Sequence, residues 1–243
     1  VSPIQEGASR ALKPARDLVG WVGDTVDAKG QVADLQDQNA ELRRQAIAGT
    51  DAVRQNRALE GLLSIDRAST LAGTKPVTAR VIGQSPTLWY ATVFVDAGTG
   101  RGVRVGQPVI TGDGLVGQVT TATGNSSVVT LITDSDIAVA ARISENGVPG
   151  VVQTGDGGPD DLRLKFLSRR DRVVKGQNIV TAGTTSNTAR LESPYPPGIP
   201  IGRVTSVIDA GTDSQEARVK PYADLRRLEF VQVLTRRVNG NRP

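Results

Sequence analysis

The sequence predicts a mainly β protein preceded by a helical segment, on three observations. The 243-residue chain holds 27 glycines and 13 prolines but only two Trp, three Tyr and three Phe, a composition suited to many short strands joined by tight turns and packed with Val, Ile and Leu. Helical periodicity stops at Lys75-Pro76, and short β-rich runs between glycine-containing turns follow. A phrase also repeats: Gly106, Gln107, Val109, Ile110 and Thr111 of "VGQPVIT" return seventy residues later as Gly176, Gln177, Ile179, Val180 and Thr181 of "KGQNIVT".

Composition also excludes functions. The chain has no histidine and no cysteine, so Ser-His-Asp and Cys-His centres, thiolate nucleophiles, the usual zinc site and disulfides are all ruled out. A Ser-Lys dyad is left open in principle, but no serine motif accompanies the six lysines. The net charge of +4 comes from 23 Arg and 6 Lys against 25 acids. These bases fall in short clusters without interleaved aromatics, such as Arg169-Arg170 and Arg226-Arg227, and read as solvated surface rather than a nucleic-acid face. No methionine occurs even at position 1, so the chain reads as a processed product or fragment. Its longest apolar runs, such as "IAVAARI" at 137–143, fall far short of the ~20 residues of a membrane helix.

Taken in order, residues 1–25 carry Pro3, Pro14 and three glycines, which discourage a continuous helix. Trp21 with Leu18, Val19 and Val22 forms an apolar patch suited either to a membrane interface or to capping the next element. From 26 to 72 the chain is free of proline and rich in Ala, Gln, Leu, Arg, Asp and Glu. Heptads place Val32, Asn39, Ala46 and Val53 at a, with Leu35 and Leu42 at d. Asparagine at an a position fixes register and favours two strands, because its amide pairs across a dimer and is costly against hydrocarbon. "QNAEL" at 38–42 returns as "QNRAL" at 55–59, bringing in Leu59, at an offset that breaks heptad phase near Ala48-Gly49-Thr50. The strongly polar faces and narrow apolar stripe favour a dimerising coiled coil through Val32, Leu35, Asn39, Leu42 and Leu59; the alternative is an amphipathic helix lying on its own globular domain.

Strands are predicted at 77–83, 88–95, 108–111, 115–121, 127–132, 137–143, 150–153, 162–166, 178–181, 201–208, 216–220 and 228–234. Such short strands without intervening helices point to sandwiches or small barrels. In "LWYATVFVD" both strand faces are apolar, so both are expected to be covered. "TGDG" at 111–114 and "TGDGG" at 154–158 are turns rather than phosphate loops, since neither has Walker spacing nor leads into a helix. In each copy of the repeat, "GLVGQV" or "GIPIGRV" brings the chain back as the next strand, with Gly106, Gly117, Gly176 and Gly202 where the chain bends or backbones approach closely.

"LWYATVFVDAGTGRGVRVGQPVITGDGLVGQV", then "GQNIVTAG", "YPPGIPIGRV" and "VKPYADLRRLEFVQVL" resemble, in this order, segments of the bacterial rod shape-determining protein family MreC. The likeness spans essentially the whole chain. It departs from the family's "TSG" followed closely by "FP.GIPIG", having "TAG" at 181–183 and then a longer polar insertion at 184–197. The resemblance implies a membrane-anchored scaffold of the cell-elongation machinery, with two small six-stranded β-barrels of trypsin-like topology outside the membrane, and the Arg-, Ala- and Gly-rich usage points to a high-GC bacterium. Implied partners are a second copy of the chain, larger self-assemblies, a class B penicillin-binding transpeptidase, and RodA, MreD and MreB; no cofactor and no nucleic acid is implied.

On this footing the chain divides into a juxtamembrane segment (1–25), a coiled-coil helix (26–72), barrel I (77–86 with 168–236), barrel II (87–167) and a tail (237–243). Trp89, Tyr90, Tyr195 and Tyr222 are the candidate partner contacts, with Phe94 and Phe230 as further aromatics large enough to anchor an interface. The competing function is a periplasmic adaptor of a secretion or efflux system, which would require a second helix forming a hairpin.

Overall fold

The computed structural model describes residues 36, 38–62, 71, 73–85, 91–155, 161–183 and 193–236. Helix α1 covers 38–62, with residue 36 also helical. Among the described residues twelve strands follow: β1 (Pro76–Gln84), β2 (Thr92–Val95), β3 (Pro108–Ile110), β4 (Leu115–Ala122), β5 (Ser127–Leu131), β6 (Val139–Ile143), β7 (Pro149–Thr154), β8 (Leu162–Lys165), β9 (Asn178–Thr181), β10 (Pro200–Ile208), β11 (Glu216–Pro221) and β12 (Phe230–Leu234). The described chain forms two compact units, one ending at Arg54 and one beginning at Gln55.

In the first unit α1 is laced by i,i+3 and i,i+4 contacts. Glu41 accepts from Arg44 at 2.8 Å and from Gln45 at 3.0 Å, and Asp51 accepts from Arg54 at 2.9 Å. The Arg44 guanidinium, and secondarily the Gln45 amide, holds the Glu41 carboxyl below its ordinary pKa. The helix continues through Ala48-Gly49-Thr50, so the break in heptad phase does not interrupt the backbone.

In the second unit the strands close two antiparallel barrels, β1-β12-β3-β4-β5-β2 and β10-β11-β8-β7-β6-β9. Alternation builds each interior: Val93 and Val95 of β2 point inward while Phe94 between them is 43% exposed. That exposure corrects the expectation that both faces of this strand are covered, which came from hydrophobicity alone. Phe166 is likewise turned outward, 77% exposed at φ 61°, because the backbone leaves β geometry after Lys165 and ends β8 there.

The barrels share one pattern of pairing. β3-β4-β5 corresponds to β9-β10-β11, β1 and β2 to β7 and β8, and β12 to β6. The repeated phrase superimposes bond for bond. Gly106 N donates to the Val119 carbonyl at 2.8 Å and Gly176 N to that of Val204 at 2.9 Å. Gln107 Oε1 accepts from Arg104 N at 2.7 Å and Gln177 Oε1 from Val174 N at 2.9 Å. Gly106 and Gly176 sit at φ 89° and 96°, where an L side chain is strained. Gly117 and Gly202 serve another need: a Cβ would lie 2.0 Å from the Thr130 carbonyl oxygen and 2.2 Å from that of Lys220.

Their sixth strands are exchanged along the chain. After β5 of the first barrel comes β6, which completes the second; after β11 of the second comes β12, which completes the first. This corrects the expected division into 77–86 with 168–236 and 87–167. β2 is hydrogen-bonded to both β1 and β5, so 92–131 belongs with β1, and only β12 of the later chain joins it. The first crossover, between β5 and β6, is fastened by buried Asp134, whose carboxylate accepts from the backbone amides of Ala91 and Asp136, each at 3.0 Å. Gly114 at the β3–β4 turn lies against the Pro200 carbonyl of β10, which brings the two barrels into contact.

Candidate functional site

β9, β10 and β11 present a polar face of the second barrel. Outward positions alternate with inward ones, so Ile179, Ile201, Val204 and Val219 are buried while Arg203, Arg218 and Lys220 are exposed. Register places Arg203 opposite both Asn178 and Lys220. Just beyond β11, Tyr222 N donates to the Ile201 carbonyl at 3.1 Å, which anchors the residue over this face.

A polar chain then fixes the Tyr222 ring. Glu145 accepts from Asn178 N at 3.0 Å and from Asn178 Nδ2 at 2.8 Å, which aims the Asn178 carbonyl oxygen at the phenol. Tyr222 Oη donates to Asn178 Oδ1, and Arg203 Nε donates to Tyr222 Oη at 3.4 Å. The guanidinium also stands over the ring, 6.0 Å from its centroid. Tyr222 remains 36% exposed. Among the described residues no carboxylate forms an ion pair with Arg203, Arg218 or Lys220. The result is a rigid aromatic anchor inside a cationic field, with the residue types that dominate interface energetics.

The other sequence candidates are placed differently. Tyr195 is 2% exposed within the core, and burial pushes its phenol well above the ordinary tyrosine pKa. It is therefore not a surface contact, which corrects that expectation: the apolar ring fills the core beneath the connection into β10. Trp89 and Tyr90 lie outside the described residues, as do Val32 and Leu35. Of the remaining heptad positions, Asn39 is exposed, Leu42 is 65% exposed and Leu59 is 36% exposed. Asn178 and Arg203 lie within the repeated phrases "KGQNIVT" and "GIPIGRV", but nothing in those phrases pairs either residue with Tyr222. Only the cross-strand register, invisible in a linear reading, joins them to Tyr222.

Among the described residues no group of three or more carboxylates is placed to hold a metal ion, and no helix is long and apolar enough to cross a membrane.

Residues 81–235 match the family model for the rod shape-determining protein MreC, barrel core. This chain belongs to the MreC family. It is 33% identical over 238 residues to the cell shape-determining protein MreC of Listeria monocytogenes, covering 95% of this chain and 77% of that protein. Against the MreC of Escherichia coli identity is 28% over 227 residues, covering 90% of this chain but only 58% of the relative. Among solved structures, an MreC with 27% identity aligns at a TM-score of 0.65 over 75% of this chain and 98% of its own. The MreC fold recurs at a TM-score of 0.50 and 16% identity in a complex between the penicillin-binding protein PBP2 and MreC from Helicobacter pylori, covering 67% of this chain and all of that one.

Proposed function

We propose that this MreC-family chain is the extracytoplasmic part of a non-enzymatic scaffold of the cell-elongation complex, tethered to the membrane by a segment preceding it, and that it binds and activates a class B penicillin-binding transpeptidase. The observation that carries the reading is the Tyr222–Arg203 pair, locked by Asn178 and Glu145 and set among exposed cations. Such a face offers binding with little ordering cost. The PBP2 complex of the Helicobacter pylori relative supports the choice of partner.

Activation without chemistry is a population shift. The scaffold binds the active conformer of the transpeptidase more tightly than the inactive one and so raises its fraction. The α1 stripe is where a second copy docks: Leu42 and Val53, 65% and 51% exposed on a single chain, lose that exposure against a partner helix. RodA, MreD and MreB complete the assembly to which the scaffold is recruited.

The test is calorimetric titration of this protein with the extracytoplasmic part of a class B transpeptidase from the same organism. Saturable binding is expected, weakened about tenfold or more by Arg203→Glu through charge reversal beside the aromatic anchor. No binding, or binding indifferent to Arg203→Glu and Tyr222→Ala at unchanged Tm, overturns the assignment to this face.

A further inference from the structure

The first copy of the repeated turn does something that the second does not. Residues Arg104, Val105, Gly106, Gln107 and Pro108 form one wall of a cleft of about 230 Å³ at the seam between the barrels. Pro194 and Pro196, on the connection into β10, contribute to the lining from the second barrel, and Leu234, Thr235 and Arg236 complete it. The proline wall is held in place by Thr181, whose hydroxyl donates to the Pro196 carbonyl and accepts from Ile199 N at 2.9 Å. Opposite, Gln107 is pinned by Arg104 N at 2.7 Å and donates to the Thr235 carbonyl at 3.0 Å. Both walls are thus fixed before anything binds.

The chemistry of the lining selects the occupant. Its only charged residues are Arg104 and Arg236, both exposed, and no carboxylate among the described residues pairs with either. Prolines offer no backbone donor, and the Gln107 amide is already engaged. Charge-bearing donors come from the two guanidiniums, which favour carboxylate or phosphate acceptors; Val105, Leu234 and the proline rings take the small apolar groups that accompany a carboxylate in a peptide and that a bare phosphate lacks. No aromatic residue lines the cleft to stack a base.

We propose that this cleft is a docking site for an acidic, extended segment of a partner protein, taking a carboxylate between Arg104 and Arg236 and an adjacent small aliphatic side chain against the prolines. The site is separate from the Tyr222 face and does not depend on the identity of the transpeptidase.

The test uses a fluorescein-labelled pentapeptide, Ala-Glu-Val-Glu-Ala, and its counterpart with glutamine in place of glutamate, titrated against the 243-residue chain by fluorescence anisotropy. The acidic peptide is expected to bind about tenfold more tightly than the neutral one, and the double variant Arg104→Gln/Arg236→Gln to remove that difference. Amide resonances of Val105, Gly106 and Thr235 should shift only with the acidic peptide. Because both arginines are exposed, an unchanged Tm verifies that the double variant is folded; Arg172→Gln, which removes an exposed charge elsewhere, should leave binding intact. Equal binding of the two peptides, binding retained in the double variant, or an equal loss in Arg172→Gln overturns the proposal.

Discussion

Substituting Gly202 by alanine asks whether the repeated phrase encodes a barrel element. A Cβ there would lie 2.2 Å from the Lys220 carbonyl oxygen and 2.9 Å from Val219 Cγ1. A carbon–oxygen contact tolerates about 3.3 Å, so the β11 backbone must retreat by about 1 Å. The overpacking costs about 1–3 kcal/mol, and loosening one β10–β11 ladder bond adds about 1 kcal/mol. For a chain of this size about 3 kcal/mol lowers Tm by about 6–12 °C. Gly176→Ala is the contrast: its Cβ finds no atom within 4 Å, and only the φ of 96° opposes it, a cost of about 1–2 kcal/mol. Thermal unfolding followed by circular dichroism should therefore rank Gly202→Ala below Gly176→Ala, with Gly117→Ala close to Gly202→Ala. A Gly202→Ala protein that melts within about 1 °C of the parent, or above Gly176→Ala, would refute the close-approach argument, since such a change is only a few tenths of a kcal/mol.

Two further predictions probe other parts of the chain. Tyr195 is buried with its phenol pKa raised, so the folded state keeps a proton that the unfolded state releases above about pH 10. Its favourable contribution is complete below that pH and is lost as pH rises toward the folded value. Stability of the parent should thus fall more steeply above about pH 10 than that of Tyr195→Phe, measured by urea unfolding at several pH values; parallel curves would count against burial of the phenol. Gly49 sits in α1 where an added methyl group would find no atom within 4 Å, so Gly49→Ala should stabilise the helix by about 1 kcal/mol. A rise in helicity by circular dichroism checks this, and a fall would show that the position is packed against a neighbour.

Much of the fold is legible because its signals are local. Period-two alternation and glycine turns locate the twelve strands of the described residues, and the recurrence of Gly-Gln with a later glycine points to a duplicated element. Pairing cannot be read in this way. The exchange of β6 and β12 depends on contacts between residues such as Val77 and Val233, far apart in the chain, and no local preference distinguishes it from two consecutive barrels. The same limit applies to the surface. Tyr195 and Tyr222 each follow a proline in the sequence, yet one is buried in the core while the other is left at the surface with the Arg203 guanidinium over its ring. The outward turn of Phe94 and Phe166 escapes a linear reading because exposure depends on which face, or which φ, the backbone assigns.

The most direct test of the scaffold account is the rate of transpeptidation by a purified class B penicillin-binding transpeptidase with increasing amounts of this chain. For a scaffold that activates its partner, the rate rises and saturates along the binding curve, Arg203→Glu shifts both curves together, and this chain alone turns over no substrate. Saturated binding with an unchanged rate, or turnover by the chain alone, would contradict it.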